Sequence, residues 1–329
     1  MNEKFTVGII GLGVMGKNHA RVVRELFSHE LIGLVDPLEE LNHSNQFGNL
    51  LCNLDDLIRL KPDYCVVAAP TAHHAEIADK LFKANLNMII EKPLAQDLQS
   101  ATQILNSAEL SDSKVAIGHI ERFNPAVQLA KLKIKEGLLG EIYQVTTSRQ
   151  GPFPSRIADV GVTLDLATHD IDLTAWLLET RYKSVSAHGT FRTGRKHEDL
   201  ISVTAELENG VVTNHLVNWL SPYKERSTVI LGEKGALRVD TLNSDLTFFE
   251  NGIHTSEQTL IEHFQGVTQG QVVKFAFDKP EPLKTEHLVF ASYIEGKNSS
   301  VASMGDGYEA VRVATAIILS LKEQRMVML

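Results

Sequence analysis

"FTVGIIGLGVMGKNHARVVREL", residues 5–26, decides how the first third of the chain is read. FTVGII (5–10) is short, apolar and rich in β-branched residues, the pattern of a strand buried on both faces. Gly11, Gly13 and Gly16 follow at once, and KNHARVVRELF carries helical periodicity. A second strand, LIGLV (31–35), ends in Asp36. Strand, glycine turn, helix, strand and acid form the context that a dinucleotide fingerprint requires. Gly11 permits the tight turn, Gly13 lets the backbone approach a pyrophosphate, and Gly16 lets the helix pack close to the sheet. Val14 and Met15 complete the turn, and the helix N-terminus attracts phosphate. Asp36 accepts hydrogen bonds from a ribose hydroxyl and repels a 2′-phosphate. The following PLEEL offers no arginine, so NAD is favoured over NADP. An FAD site shares the same fingerprint.

The alternation continues outward. DYCVVAA (63–69), LNMIIEKP (86–93) and KVAIGHI (114–120) read as strands. AHHAEIADKLFKA (72–84) and DLQSATQILNSAEL read as helices between them. This implies a doubly wound parallel sheet, in which ligands gather at the carboxyl ends of the strands. PTAHH, EKP and GHIERFNP therefore ring one crevice. Ala69, Pro70, Thr71, His74, Glu91 and Lys92 become candidates for cofactor contacts. Lys92 has two readings, a solvated surface lysine or a partly desolvated catalytic cation; its place at a strand end before Pro93 favours the second.

From about residue 123 the texture changes. AVQLAKLKIKEG reads as a helix and EIYQVTTSRQ as a strand. YKSVSAHGTF, LISVTAELENG, VVTNHLVNWL, RSTVILGEKG, ALRVD and DLTFFENG are extended segments. Asn-Gly inside ELENGVVT marks a hairpin. The expected fold is α/β: an N-terminal Rossmann domain over 1–122, then a C-terminal α+β domain over 123–329 with a large, mostly antiparallel sheet. Two helices close the chain, near 283–296 and 305–323, and the last packs back on the first domain. VGVTLDLATHDIDLTAWLL is an apolar helix that carries Asp165, His169, Asp170 and Asp172. Residues four apart share a helix face. Asp165 can orient His169, which then takes a proton from a substrate hydroxyl. A metal site and an ordinary ion-paired surface are the competing readings. One histidine is a thin ligand set, and acids within so apolar a helix need a reason.

Bulk properties limit the classes. The chain has 329 residues, a net charge of −9 and two cysteines, Cys52 and Cys65. No basic block suggests nucleic acid, no apolar run suits a membrane span, and no leader pattern opens the chain. These features suit a cytoplasmic protein. A large open sheet has edges and a face to cover, so a homodimer or homotetramer is expected.

GLGVMGKNHA, PTAHH, EKPLA and the DxxxHDxD pattern, taken in order, resemble the glucose-fructose oxidoreductase/inositol dehydrogenase/rhizopine catabolism (Gfo/Idh/MocA) family. The resemblance implies an NAD(P)-dependent oxidoreductase of sugars and polyols, with catalytic roles falling on Lys92, Asp165 and His169 and a cofactor contact on His74. A narrower likeness, carried by GHIERFNPAV and SRQGPFPSRIADVGVTLDLATHDID, is to the UDP-N-acetylglucosamine 3-dehydrogenase branch. Where many members of the wider family have a glycine cluster, this chain has ADVG (158–161). A sugar nucleotide brings a diphosphate, for which Arg122, Arg149 and Arg156 supply cations and Asn124 a polar contact; Asp165 and His169 would also touch the sugar. The alternatives are a myo-inositol or free-sugar dehydrogenase of the same family and a non-catalytic NAD-binding regulator.

Overall fold

The chain divides into two discontinuous units, Met1–Phe123 with Glu281–Thr315, and Asn124–Pro280 with Ala316–Leu329. The computed structural model describes residues 4–37, 50–51, 53–154, 160–252, 269–297 and 300–329.

The first unit contains β1 (Phe5–Ile10), α1 (Val14–Glu25), β2 (His29–Val35), β3 (Leu50–Leu51), α2 (Leu54–Leu60), β4 (Tyr64–Val67), α3 (His74–Lys83), β5 (Asn87–Glu91), α4 (Leu98–Glu109) and β6 (Val115–Gly118). The strands form a six-stranded sheet in the order β3-β2-β1-β4-β5-β6, all parallel. Alternation along each strand feeds two cores. Val7, Ile9, Tyr64, Val66, Ile89 and Ala116 face one side. Ile10, Cys65, Val67, Met88, Ile90, Val115 and Ile117 face the other. Both faces are covered, which is why the strands read as unbroken apolar runs. Cys65 is one consequence: its burial pushes the thiol up to about 12.

The helices that cover these faces include one from far along the chain. Ala20 and Val23 of α1 share their core with Phe290 of α7 (Pro282–Ile294). Leu57, Ala78, Leu81, Ala101 and Ile104 share the other with Val311 of α8 (Met304–Glu323). The expected division placed residues 281–315 with the C-terminal domain and had only the last helix pack back on the first; the apolar side chains of both helices complete the first unit. A short strand and a helix between β2 and β4 also went unread. Asn53 caps that helix, α2, by accepting from Asp56 N–H at 3.0 Å.

The second unit contains α5 (Pro125–Lys135), β7 (Ile142–Pro152), α6 (Thr168–Leu178), β8 (Tyr182–Thr190), β9 (Leu200–Leu207), β10 (Val212–Asn218), β11 (Leu220–Gly232), β12 (Gly235–Asp240), β13 (Asp245–Asn251), β14 (Gln269–Lys274) and β15 (Val327–Met328). Nine strands pair in the order β14-β13-β12-β11-β7-β10-β9-β8-β15. Only β7 and β10 run parallel. The Asn-Gly hairpin joins β9 to β10, with Gly210 at φ +85.

Candidate active site

In the first unit the sequence motifs all fall at the carboxyl ends of parallel strands. β1 and β4 are neighbours although β2 and β3 lie beyond β1, so the crossover direction reverses between them. Open sheets bind ligands outside such a switch point. Gly11 sits there at φ +91, and a Cβ on it would lie 2.5 Å from Ala69 N. A Cβ on Gly16 would lie 1.8 Å from the Gly11 carbonyl oxygen, so α1 can pack this closely only with glycine. Gly13 differs: a Cβ there would meet nothing within 4 Å, so its backbone borders open space. Gly13 is also the N-cap of α1, which has neither a capping side chain nor an acid in its first turn. Val14 and Met15 are the first two residues of that turn. Unsatisfied N–H groups beside open space suit a phosphate. Asp36, at the end of β2, accepts from Leu12 N–H at 2.6 Å, so the acid also ties down the glycine loop. Glycine cradle, uncapped helix and acid together fit NAD.

The loops after β4 and β5 are joined by His74. Its Nε2 lies 2.9 Å from the Ala69 carbonyl and its Nδ1 lies 3.1 Å from that of Pro93. The ring is buried, and burial lowers its pKa. His74 thus holds the Ala69–Pro70–Thr71 turn beside the Lys92–Pro93 turn. Glu91 is buried at the end of β5, and its Oε2 accepts from Lys92 N–H at 3.2 Å. Burial acts to raise the Glu91 pKa. The hydrogen bond with His19, the charge of Lys92 and the Lys92 N–H outweigh it and hold the group below its ordinary value. Lys92 itself is half-buried.

Arg122, expected at a diphosphate, is 3% exposed and reaches Asp306 of α8 at 3.3 Å. A buried guanidinium needs a counter-charge, and Asp306 supplies it from 184 residues away.

In the second unit, Asp165 and His169 lie on one continuous helical segment, but its first turn is not α-helical. Thr163–Ala167 is a π-turn that runs directly into α6. Such turns widen the helix and are frequent at functional sites. Asp165 is buried in the π-turn and His169 is half-buried in the first turn of α6. Glu198 holds the start of the turn: its Oε1 accepts from Thr163 N–H at 3.0 Å, and its carbonyl accepts from Val162 N–H at 3.0 Å. A Cβ on Gly161 would lie 2.1 Å from Glu198 Oε1, so a larger residue there would displace that carboxylate. Asp170, on the same helix, is 2% exposed and accepts from Arg149 Nε at 2.8 Å.

Arg149, on β7, thereby carries the charge of a buried helix acid. Asn124 caps α5 by accepting from Ala126 N–H at 3.0 Å, and it donates to the Thr241 carbonyl at 3.0 Å. Arg156 and Cys52 lie outside the described residues. Among the described residues, no group of three or more His, Cys, Asp or Glu side chains is placed to hold a metal ion. Nor is any helix long and apolar enough to cross a membrane.

His19, Glu198 and Asp306 escaped the sequence reading. His19 stands inside the opening motif, three residues after Gly16, which was the one available signal.

Comparison with known proteins agrees with this fold. Residues 5–119 match the family model described as an oxidoreductase family with an NAD-binding Rossmann fold. Residues 127–238 match the GFO/IDH/MocA C-terminal domain. A UDP-N-acetylglucosamine 3-dehydrogenase from Acidithiobacillus ferrooxidans is 28% identical over 251 residues, covering 75% of this chain and 78% of that protein. An inositol 2-dehydrogenase from Saccharopolyspora erythraea is 27% identical, covering 70% and 72%. Among solved structures, the Acidithiobacillus ferrooxidans enzyme superposes with a TM-score of 0.85 at 24% identity, covering 97% and 99% of the two chains. The Bordetella pertussis dehydrogenase WlbA, solved with NADH and UDP-GlcNAcA, superposes at 0.82 with 21% identity over 100% and 99%. At these identities the structural likeness establishes the fold.

Proposed function

This chain belongs to the Gfo/Idh/MocA family of NAD-binding oxidoreductases, and within that family we propose that it oxidises a secondary hydroxyl of a sugar nucleotide, the 3-hydroxyl of UDP-N-acetylglucosamine. The 28% identity to a UDP-N-acetylglucosamine 3-dehydrogenase, over three quarters of this chain, carries the choice of substrate.

In this reading, the backbone of Gly11–Gly16 holds the pyrophosphate of NAD and Asp36 accepts from its ribose. NAD, when bound, supplies the acceptor for the hydride that leaves the sugar carbon. Lys92 positions and polarises the reacting hydroxyl. His169, oriented by Asp165, takes the hydroxyl proton as the carbonyl forms. Arg122 and Arg149, each already paired with a carboxylate, serve mainly to hold their elements against α8 and α6. Asn124 does the same as a helix cap.

We place the protein in the cytoplasm as a homodimer or homotetramer. The register puts Val212, Leu216, Leu231, Phe249 and Val272 on one face of the nine-stranded sheet, and all five are substantially exposed. Light scattering on the purified protein tests this, and a monomer at micromolar concentration overturns it.

The test of function is NADH formation with UDP-N-acetylglucosamine, myo-inositol and glucose compared side by side, with a ketone trap present. Signal with the UDP-sugar alone, lost in His169→Ala with NAD affinity unchanged, is the expected result. Signal with inositol or glucose keeps the family and rejects the substrate; the inositol dehydrogenase relative makes this the second reading. NAD binding with no reduction by any of the three points to a regulatory protein.

A further inference from the structure

In the first unit, four buried side chains form one hydrogen-bonded line that ends beside Lys92. The Tyr64 hydroxyl lies 2.7 Å from His287 Nδ1. His287 Nε2 lies 2.9 Å from His19 Nδ1. His19 Nε2 lies 2.8 Å from Glu91 Oε1. β4, α7, α1 and β5 supply one residue each. Tyr64, His287 and His19 are fully buried, and Glu91 is 6% exposed. A polar line this deep is costly unless every link is made, and here every link is made.

With one proton on each histidine, the protons on this line have one arrangement. A glutamate carboxylate only accepts, so His19 donates from Nε2. Its Nδ1 then accepts, and His287 must donate from Nε2. The His287 Nδ1 is then the acceptor for the Tyr64 hydroxyl. Burial, reinforced by the neighbouring His19 and His29, holds the His287 pKa well below its ordinary value, which keeps that ring neutral. All three protons therefore point toward Glu91. Its other oxygen accepts from Lys92 N–H. One carboxylate thus connects the backbone of Lys92 to α1, α7 and β4.

We propose that the Tyr64–His287–His19–Glu91 line is a positioning device for Lys92: it locks the Glu91 carboxylate in one orientation, and that carboxylate fixes the backbone from which the lysine ammonium meets the reacting hydroxyl. The inference rests on the reading above that Lys92 acts on the substrate. His19, His287 and Tyr64 touch neither substrate nor cofactor in this scheme and act only through Glu91. A plain structural staple between helices and sheet would affect stability alone. A positioning line also sets tautomers and the rate at fixed cofactor affinity.

Tyr64→Phe is the first test, because it removes the terminal O–H and keeps the ring that packs edge-on against Phe290 at 5.2 Å. In the NAD-bound full-length protein labelled with 15N-histidine, His19 and His287 are expected as Nε2–H tautomers. Tyr64→Phe should shift at least one of them, and should move the Lys92 amide proton resonance. With UDP-N-acetylglucosamine, kcat should fall roughly tenfold, since small misplacements of reacting groups carry costs of this order. The NAD dissociation constant should stay within about twofold. Glu91→Gln keeps the shape and removes the charge, so it should reproduce the kcat loss and the Lys92 amide shift if Tyr64→Phe does not fold.

Nδ1–H tautomers in the parent protein overturn the arrangement. An unmoved Lys92 amide in folded Tyr64→Phe and Glu91→Gln overturns the positioning role, whether or not the substrate is turned over. The underlying reading fails separately, if Lys92→Met leaves kcat unchanged.

Discussion

Glu286 offers the sharpest test of the buried electrostatics in the first unit. It lies on α7 and is 2% exposed, and neither carboxyl oxygen has a hydrogen-bond partner among the described residues. Burial, assisted by the charge of Glu91, pushes its pKa well above the ordinary 4.5. The folded chain therefore keeps a proton that the unfolded chain releases. Below the unfolded value both states are protonated and the group contributes no pH dependence. As pH rises from about 4.5 toward the folded value, stability falls by about 1.4 kcal/mol per pH unit from this group alone. Glu286→Gln keeps the volume and a neutral polar head but cannot ionise. Variant and parent should be equally stable near pH 4.5, and the variant should gain by that slope above it. For a unit of this size, the slope corresponds to roughly 2–4 °C in Tm per kcal/mol.

The other buried groups nearby, His29, His287, Tyr64 and Glu91, titrate in both proteins, so the difference between them isolates Glu286. Differential scanning calorimetry at half-unit steps between about pH 5 and pH 8 reads it. Parallel profiles for the two proteins would refute the reasoning, because they would mean that Glu286 is ionised and paired in the folded state.

Gly16→Ala should abolish NADH binding, measured by fluorescence titration, because its Cβ would sit 1.8 Å from the Gly11 carbonyl oxygen. Arg149→Met leaves Asp170 buried without its guanidinium, a loss of about 3–5 kcal/mol in urea unfolding; adding Asp170→Leu should recover most of it, and a single variant as stable as the parent would contradict the pairing. Asp36→Ala removes both the hold on Leu12 N–H and the ribose acceptor. Hydrogen bonds to charged groups contribute about 1.5–3 kcal/mol, so NAD should bind about 10- to 100-fold more weakly, while discrimination against NADP relaxes.

What the sequence by itself determined is local. The β1–α1 glycine turn, Asp36 at the end of β2, the Asn-Gly hairpin and the strand–helix alternation are each set within a few residues, by steric demands on glycine and by the period of apolar side chains. Lys92, Asp165 and His169 could be singled out for the same reason, because each stands at a fixed offset inside a short motif; their roles remain the proposal made above. Partners were not legible. Arg122 meets Asp306 and Arg149 meets Asp170, and neither carboxylate is marked in the sequence near its arginine. His19 gains its meaning from Glu91 and from His287, 268 residues away. The helix carrying Phe290 belongs to the first unit because Phe290 finishes one of its cores, which no local pattern records, whereas the return of the last helix was expected. The π-turn at Thr163–Ala167 is invisible to a search for the helical period, since the same apolar residues serve either geometry, and Glu198 from a distant loop holds its first N–H groups. Local propensity acts over a few residues, whereas burial makes every charge and donor find a counterpart wherever the closed chain brings one. The roles of the buried polar residues were therefore decided only by the tertiary structure.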